Sequence, residues 1–226
     1  MHALLAHEAP DDRKPVVLVV DDEPLMLTAL GRLFECAGLA VELYRSGADF
    51  FEKARFDRPG CIVLDVRMPE MSGIEVQALL GERNVQLPVI FLTGTSEVHI
   101  AVEAMREGAA DFIEKPFEPD HLLARVHAMI VRDAARRHDS GERNDVLRRI
   151  KLLTPRELSV MALVVAGNTS KQIARTLGGS HRTVDIHRHH LMEKMNAVSV
   201  ADLVRMGLLA SETPVPAPSR RHTAGQ

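Results

Sequence analysis

Over the first 130 positions, short apolar runs alternate with longer amphipathic stretches. Val16–Val20 is a continuous run rich in β-branched residues that stops at Asp21 and Asp22. From Pro24 to Ala37, Leu27, Leu30, Leu33 and Phe34 recur at helical spacing, and Gly38 stands where a helix-ending glycine belongs. Val41–Tyr44 predicts a second strand, and Ser46 an N-cap for a helix reaching Ala54. Three more strands follow: Cys61–Leu64 ending at Asp65, Pro88–Leu92 ending at Thr93, and Asp111–Glu114 ending at Lys115-Pro116. Between and after them, helices are predicted over Ser72–Glu82, Glu97–Glu107, and from Glu118 to at least Val131.

Uninterrupted apolar strands are buried on both faces, as in a parallel sheet covered by helices. Residues 15–133 are therefore expected to form an α/β doubly wound domain around a five-stranded parallel sheet. Ligands of such sheets bind beyond the carboxyl ends of the strands, where the strand order reverses. Asp21, Asp22, Asp65, Thr93 and Lys115 all follow strand ends.

The second half changes character. Residues 134–147 are rich in Arg and Asp with few apolar side chains, and predict a linker that is helical at its ends. Residues 148–210 contain no strand-like run and predict an all-α, four-helix domain. Thr154-Pro155-Arg156-Glu157 and Thr169-Ser170-Lys171-Gln172 each read as a capping box. Ser180 and Ser199 are N-caps for two further helices, to about Met195 and about Ala210. The expected tight turn at Gly178-Gly179 gives helix–turn–helix spacing, in which the second helix enters the major groove of DNA. Segments 1–14 and 211–226, the latter with Pro214, Pro216 and Pro218, are expected to be disordered.

Charge separates the halves. Residues 1–130 carry 12 Lys and Arg against 22 Asp and Glu, whereas residues 146–210 carry 10 against 4. An acidic domain joined to a basic one implies different partners, and the basic one suits nucleic acid. No apolar run approaches the length of a membrane span, and no secretory signal precedes Lys14, so no membrane partner is expected. Two cysteines cannot staple a fold of this size; Cys36 and Cys61 are expected to be small buried hydrophobes in a reducing cytoplasm.

Carboxylates brought together at strand ends repel strongly, by roughly 4 kcal/mol for two charges 4 Å apart at an effective dielectric near 20. Three of them are expected to converge and to bind a hard divalent cation such as Mg²⁺, which prefers oxygen ligands. A lysine and a hydroxyl beside one carboxylate complete a phosphoryl-acceptor site. Asp65 is the candidate nucleophile, Asp21 and Asp22 hold the metal, Lys115 neutralises phosphoryl oxygens, and Thr93 donates a hydrogen bond to one of them.

Val-Val-Asp21-Asp22-Glu-Pro, Leu-Asp65-Val-Arg-Met-Pro-Glu-Met-Ser-Gly, Phe-Leu-Thr93-Gly and Phe112-Ile-Glu-Lys115-Pro-Phe occur in the order of the receiver domain of two-component response regulators, which this region resembles. The resemblance implies phosphorylation of Asp65 by a cognate histidine kinase, with Mg²⁺ held by Asp21, Asp22, Asp65 and the Arg67 carbonyl. It further implies that the Arg67 and Thr95 side chains tune dephosphorylation, that Thr93 and Phe112 form a switch, and that the Lys115–Pro116 bond is cis.

The helical half resembles the LuxR-type helix–turn–helix through Leu153-Thr-Pro-Arg-Glu-Leu, Ser170-Lys-Gln-Ile-Ala-Arg-Thr-Leu-Gly and Arg182-Thr-Val-Asp-Ile-His-Arg-His-His-Leu-Met-Glu-Lys-Met. Together the halves resemble the FixJ/NarL class of regulators. Gly179 and His181 depart from that pattern, which usually has an apolar residue and Pro there. Val184, Leu191 and Met195 should face the core, with Arg182, Asp185, His189 and Lys194 on the opposite face, which is expected to meet DNA. Lys171, Arg182 and Thr183 are expected to contact phosphates, and Asp185, Arg188 and His189 base edges. The clustered His187, His189 and His190 lack the ligand set of a tetrahedral metal site. Arg132, Arg136, Arg137, Arg148 and Arg149 are expected to be a solvated linker face.

The expected function is thus a transcription regulator in which Asp65 phosphorylation controls binding to double-stranded DNA, either through homodimerisation or by releasing the basic domain from masking by the acidic receiver. The fourth helix of the basic domain lies at the dimer contact, and RNA polymerase is a further candidate partner. The expected chemistry is that of a phosphoacceptor rather than an enzyme. Two rival readings differ in class. An aspartyl-phosphate hydrolase of the haloacid-dehalogenase type needs a second Asp two residues after the nucleophile, where this chain has Arg67. A phospho-regulated module whose helical half binds protein or RNA would have no use for a groove-reading helix.

Overall fold

A computed structural model describes residues 14–94 and 110–211. The predicted Glu97–Glu107 helix, Thr95, and the segments 1–13 and 212–226 lie outside these residues. Two compact units divide the chain between Arg137 and His138.

In the first unit, strands β1 (Val16–Val20), β2 (Ala40–Tyr44), β3 (Gly60–Asp65), β4 (Val89–Gly94) and β5 (Asp111–Lys115) form one parallel sheet in the order β2-β1-β3-β4-β5. Successive strand residues point to opposite faces. Val16, Leu18, Val20, Ile62, Leu64 and Phe91 enter one core, packed against Phe50 of α2 (Gly47–Lys53) and against Val76 and Leu80 of α3 (Gly73–Glu82). Val17, Val19, Cys61, Val63, Ile90 and Leu92 enter the other. That core is completed by Leu27, Leu30 and Phe34 of α1 (Pro24–Cys36) and by Leu122, Val126 and Met129 of α4 (Pro119–Ile150). The doubly wound expectation holds, because every strand in the middle of the sheet is apolar on both sides.

Three expectations are corrected. The polar stretch 134–147 is helical throughout, as part of the 32-residue α4. A helix polar on all sides is sustained by ion pairs three and four residues apart. Here Asp133 pairs with Arg136 and Arg137, and Asp145 with Arg148 and Arg149. Arg136, Arg137 and Arg149 are also not a solvated face. Arg137 donates to the carbonyls of Phe56 and Asp57, and Arg149 to that of Met195. In addition, Cys61 is buried as expected but Cys36 is exposed, because it falls on the solvent side of the last turn of α1.

The second unit packs α5 (Pro155–Val165), α6 (Ser170–Leu177), α7 (His181–Met195) and α8 (Val200–Ser211) around Val160, Val164, Ile173, Val184, Leu191, Met195 and Leu203. Both capping boxes form as read: Thr154 with Glu157, and Thr169 with Gln172. Gly178 ends α6 in the left-handed region (φ 65°), a conformation costly for any residue with a Cβ.

Candidate functional site

The strand order reverses between β1 and β3, since β1 pairs with both β2 and β3. Asp21 follows the end of β1 and Asp65 is the last residue of β3, so the two carboxylates flank the crevice that this topology opens. Lys115, the last residue of β5, reaches across to both. Its Nζ donates to Asp65 Oδ1 at 2.6 Å and to Asp21 Oδ2 at 3.1 Å. The remaining oxygens are anchored by the main chain: Asp21 Oδ1 accepts from Glu23 N (2.8 Å) and Asp65 Oδ2 from Arg67 N (2.8 Å).

The loop after Asp65 is held close by Gly73. Its N–H donates to Val66 O, and a Cβ at this position would lie 2.2 Å from the Asp65 carbonyl oxygen. Only glycine lets the start of α3 approach the acceptor strand so closely. The bond Lys115–Pro116 is cis, as the resemblance implied.

Among the described residues, the ion pairs of the crevice set one ammonium, Lys115, against two carboxylates. Burial raises the Asp65 carboxyl above its ordinary range and the Asp21 charge adds to this, against the lowering effect of Lys115. For Lys115, burial opposes the charge, but the hydrogen bonds and charges of Asp65 and Asp21 outweigh it and raise its pKa. One ammonium thus serves two carboxylates.

This oxygen-rich, net-negative site fits Mg²⁺, which binds through one or two carboxylates and retains several waters. The expected convergence of three carboxylates is not seen: among the described residues no three His, Cys, Asp or Glu side chains are placed to hold a metal ion. Asp22, in the bend that follows β1, is exposed. Thr93, at the end of β4, is fully buried and its hydroxyl donates to the Gly94 carbonyl (3.2 Å). Phe112 on β5 is 36% exposed and stands outside both cores.

In the second unit, α6 and α7 are the two helices of the helix–turn–helix. Lys171, Arg182, Thr183, Asp185 and His189 are exposed, and Val184, Leu191 and Met195 are buried, as the periodicity required. Thr183 is already engaged with the cap: its N–H donates to Ser180 Oγ, and the two hydroxyls are 2.8 Å apart. Asp185 lies 2.9 Å from His181 Nδ1, one turn earlier.

Two of the proposed DNA contacts are placed differently. Arg188 is half-buried, because it lies four residues after Val184 and three before Leu191, on the inward side of α7. Lys194 is bound within the unit, its Nζ 2.7 Å from the buried Glu157 carboxylate. Ile186 is an outward residue of α7 that its apolar character alone does not single out. It is an apolar side chain 49% exposed on the outward face of α7, between Arg182 and His189. Its exposed place one helical turn from those two residues is the signal that could have found it.

Comparison with known proteins agrees with this division. Residues 17–127 match the response regulator receiver domain, and residues 151–207 match the luxR family of bacterial regulatory proteins. The chain is 44% identical over 199 residues to the transcriptional regulatory protein FixJ of Azorhizobium caulinodans, covering 88% of this chain and 94% of that one. Over 195 residues it is 38% identical to the response regulator protein TodT of Pseudomonas putida, covering 86% of each. The solved structure of the response regulator StyR superposes with a TM-score of 0.78 at 38% identity, covering 86% of this chain and 98% of that one. The chain belongs to the two-component response regulators that join a receiver to a LuxR-type DNA-binding domain. Within that family it shares the two-domain make-up of the FixJ class of transcriptional regulators.

No helix among the described residues is long and apolar enough to cross a membrane.

Proposed function

We propose that Asp65 accepts a phosphoryl group from a cognate histidine kinase and that this controls dimerisation and sequence-specific DNA binding. The observation that carries the reading is the position of Asp65 at the β1–β3 crevice, with Lys115 Nζ 2.6 Å from one of its oxygens. In the transfer an Asp65 carboxylate oxygen forms a bond to phosphorus while the phosphorus–imidazole nitrogen bond breaks, its electron pair returning to the imidazole. Asp21, Asp65 and the Arg67 carbonyl, with Asp22 completing the set from the solvent side, would hold Mg²⁺, which neutralises charge on the phosphoryl oxygens when bound. Lys115 then shifts from bridging the carboxylates to pairing with the phosphoryl group. Thr93 turns its hydroxyl toward the same group, and Phe112 swings inward from its exposed position. Arg67 and Thr95 tune how fast water removes the phosphoryl group.

Exposed Leu25 lies near the acidic pair on α1, and Met26, Leu33 and Cys36 of α1 face Phe117 and Pro119 across an apolar groove. This surface suits the docking of the kinase beside Asp65. In the second unit, Lys171, Arg182 and Thr183 contact phosphates, while Asp185, Ile186 and His189 face base edges. Val200 and Leu208 leave an exposed apolar strip on α8, which supports the dimer contact. We assign residues 15–133 to the receiver, 134–147 to the linker and 148–210 to the DNA-binding domain. RNA polymerase is the downstream partner, and the cytoplasm, where the DNA lies, is the compartment. The phosphoacceptor chemistry is self-limited rather than a turnover of external substrates, since Arg67 occupies the position of a hydrolase's second Asp.

The test is dimerisation by ultracentrifugation and affinity for the promoter DNA that the protein protects in a genomic footprint, each with and without beryllofluoride. We expect at least a ten-fold gain in each. Unchanged values would defeat control by phosphorylation.

A further inference from the structure

His181 is the first residue of α7, and its Nδ1 lies 2.9 Å from Asp185 Oδ2, one turn further along the helix. A lone pair on Nδ1 at this distance would face the carboxylate, so the contact requires Nδ1 to carry a proton. Both side chains are exposed, on the helix whose outward side carries Arg182, Ile186 and His189. Asp185 Oδ1 has no partner among the described residues.

The helices α5 and α6 pack against α7. Of their charged groups, Arg156 donates to the Leu177 carbonyl at the end of α6, and Glu157 pairs with Lys194 at the far end of α7. Neither these nor Lys171 and Arg175 of α6 pair with His181, whose single ion-pair partner among the described residues is Asp185. On α7 itself Arg182 adjoins His181, and His189 pairs with Glu193 at 3.5 Å. The positive end of the helix opposes a cation at its first residue. Asp185 and the phosphates of a bound duplex favour one. An exposed ion pair contributes little in water, and more once a groove displaces the water around it.

We propose that protonated His181 is a positioning residue for base reading: it holds Asp185 Oδ2 and leaves Oδ1 to accept a hydrogen bond from the N4 amino group of a cytosine in the major groove. The proposal rests on the reading of Asp185 as a base-edge contact. Cytosine suits this carboxylate better than adenine, which sets the acceptor N7 beside its amino group and so repels the second oxygen. The imidazolium also cancels the charge that Asp185 would otherwise bring to a polyanion.

The test is a set of gel-shift titrations of the full-length chain, treated with beryllofluoride, on the promoter DNA that it protects in a genomic footprint and on copies changed at one base pair at a time. They are run at about pH 6 and about pH 8.5, either side of the ordinary imidazole range. The ratio of affinities for two bases at one position cancels whatever pH does to all sequences alike, through the other histidines or through activation. Asp185→Ala should lower the preference for cytosine at one position of the half-site about five-fold and leave the other positions intact. His181→Pro should lower the preference at that same position by a similar factor at the lower pH and make it independent of pH. The wild-type preference should fall toward that of the variant at the higher pH. Pro suits the first position of a helix, and Ser180 before it is already extended (φ −84°, ψ 153°), so this variant should fold. Thermal melts check it, and His181→Ala decides if it does not. If Asp185→Ala relaxes no position, the base-edge reading itself fails and the proposal with it. If it relaxes a position other than a cytosine, only the proposal is overturned. The same holds if the folded His181 variant keeps the wild-type preference and pH profile, or weakens every sequence alike with the preference intact.

Discussion

Lys194 Nζ donates to Glu157 Oε2 at 2.7 Å, tying the last turn of α7 to the first turn of α5. The same oxygen accepts from Thr154 N in the capping box. Lys194 first, and the Thr154 N–H second, hold the Glu157 carboxyl down to about 2 from an ordinary 4.5. A carboxyl depressed in the folded state stabilises the fold fully above its unfolded pKa, and this is lost as pH falls through the folded one. Thermal melts from pH 7 to pH 2 should therefore show a loss between about 4.5 and 2 that Glu157→Gln flattens. Lys194→Met should lower the melting temperature at neutral pH while leaving the salt slope of DNA binding intact. A reduced slope with an unchanged melting temperature would return Lys194 to the DNA-facing surface.

Asp65→Asn should abolish labelling by acetyl phosphate while the melting temperature does not fall, because the substitution keeps the shape and removes one of two crowded negative charges. Stripping divalent ions from the wild type should slow labelling on the order of a hundred-fold, the scale of several kcal/mol of charge stabilisation. Both are read from phosphate-affinity gels. Labelling that persists in Asp65→Asn would move the acceptor elsewhere.

Much of this was legible in the sequence, for identifiable reasons. Apolar runs such as Val16–Val20 and Cys61–Leu64 announce buried strands, and the residue that ends such a run is delivered to the crevice by topology alone. The periodicity of Val184, Leu191 and Met195 likewise set the inward face of α7. What stayed hidden depended on partners distant in the chain. Nothing local to Lys194 reveals a carboxylate 37 residues earlier. Nothing local to Arg137 reveals the Phe56 and Asp57 carbonyls some 80 residues earlier. The helical continuity of 134–147 was masked for a different reason. Its stability lies in i,i+3 and i,i+4 ion pairs rather than in an apolar stripe, which is the signal that periodicity detects.

Asp133 offers a stability test of that long-range packing. It accepts from Gly60 N (3.1 Å), Arg136 (2.6 Å) and Arg137 (2.7 Å), joining α4 to the start of β3. Asp133→Ala would leave the Gly60 N–H and two guanidinium groups without their acceptor. Removing one partner of a fully buried pair costs about 3–5 kcal/mol; because both arginines are partly exposed to water, we expect about 2–3 kcal/mol here. Urea unfolding followed by circular dichroism should show it as a lower midpoint. Asp133→Asn, which keeps an acceptor oxygen, should fall between. A loss below about 0.5 kcal/mol would mean that the clasp is idle.

Lys171 and Ile186 should fail in opposite ways, and that contrast tests how the second unit meets DNA. Lys171, exposed in the first turn of α6, offers a point charge to a phosphate. Its replacement by Ala should weaken binding to every sequence alike and flatten the dependence of log affinity on log salt by about one unit. Ile186 carries no charge, so Ile186→Ala should leave that slope unchanged. An exposed apolar side chain in the major groove is suited to the methyl group of thymine. Ile186→Ala should therefore reduce discrimination at one or two adjacent base pairs. Replacing the thymine there by uracil, which lacks only the methyl group, should reproduce the loss in the wild type and cost the variant nothing further. Gel-shift titrations at three salt concentrations on matched operators measure both quantities. An additional penalty from uracil in the Ile186→Ala protein would show that some other side chain reads that methyl group.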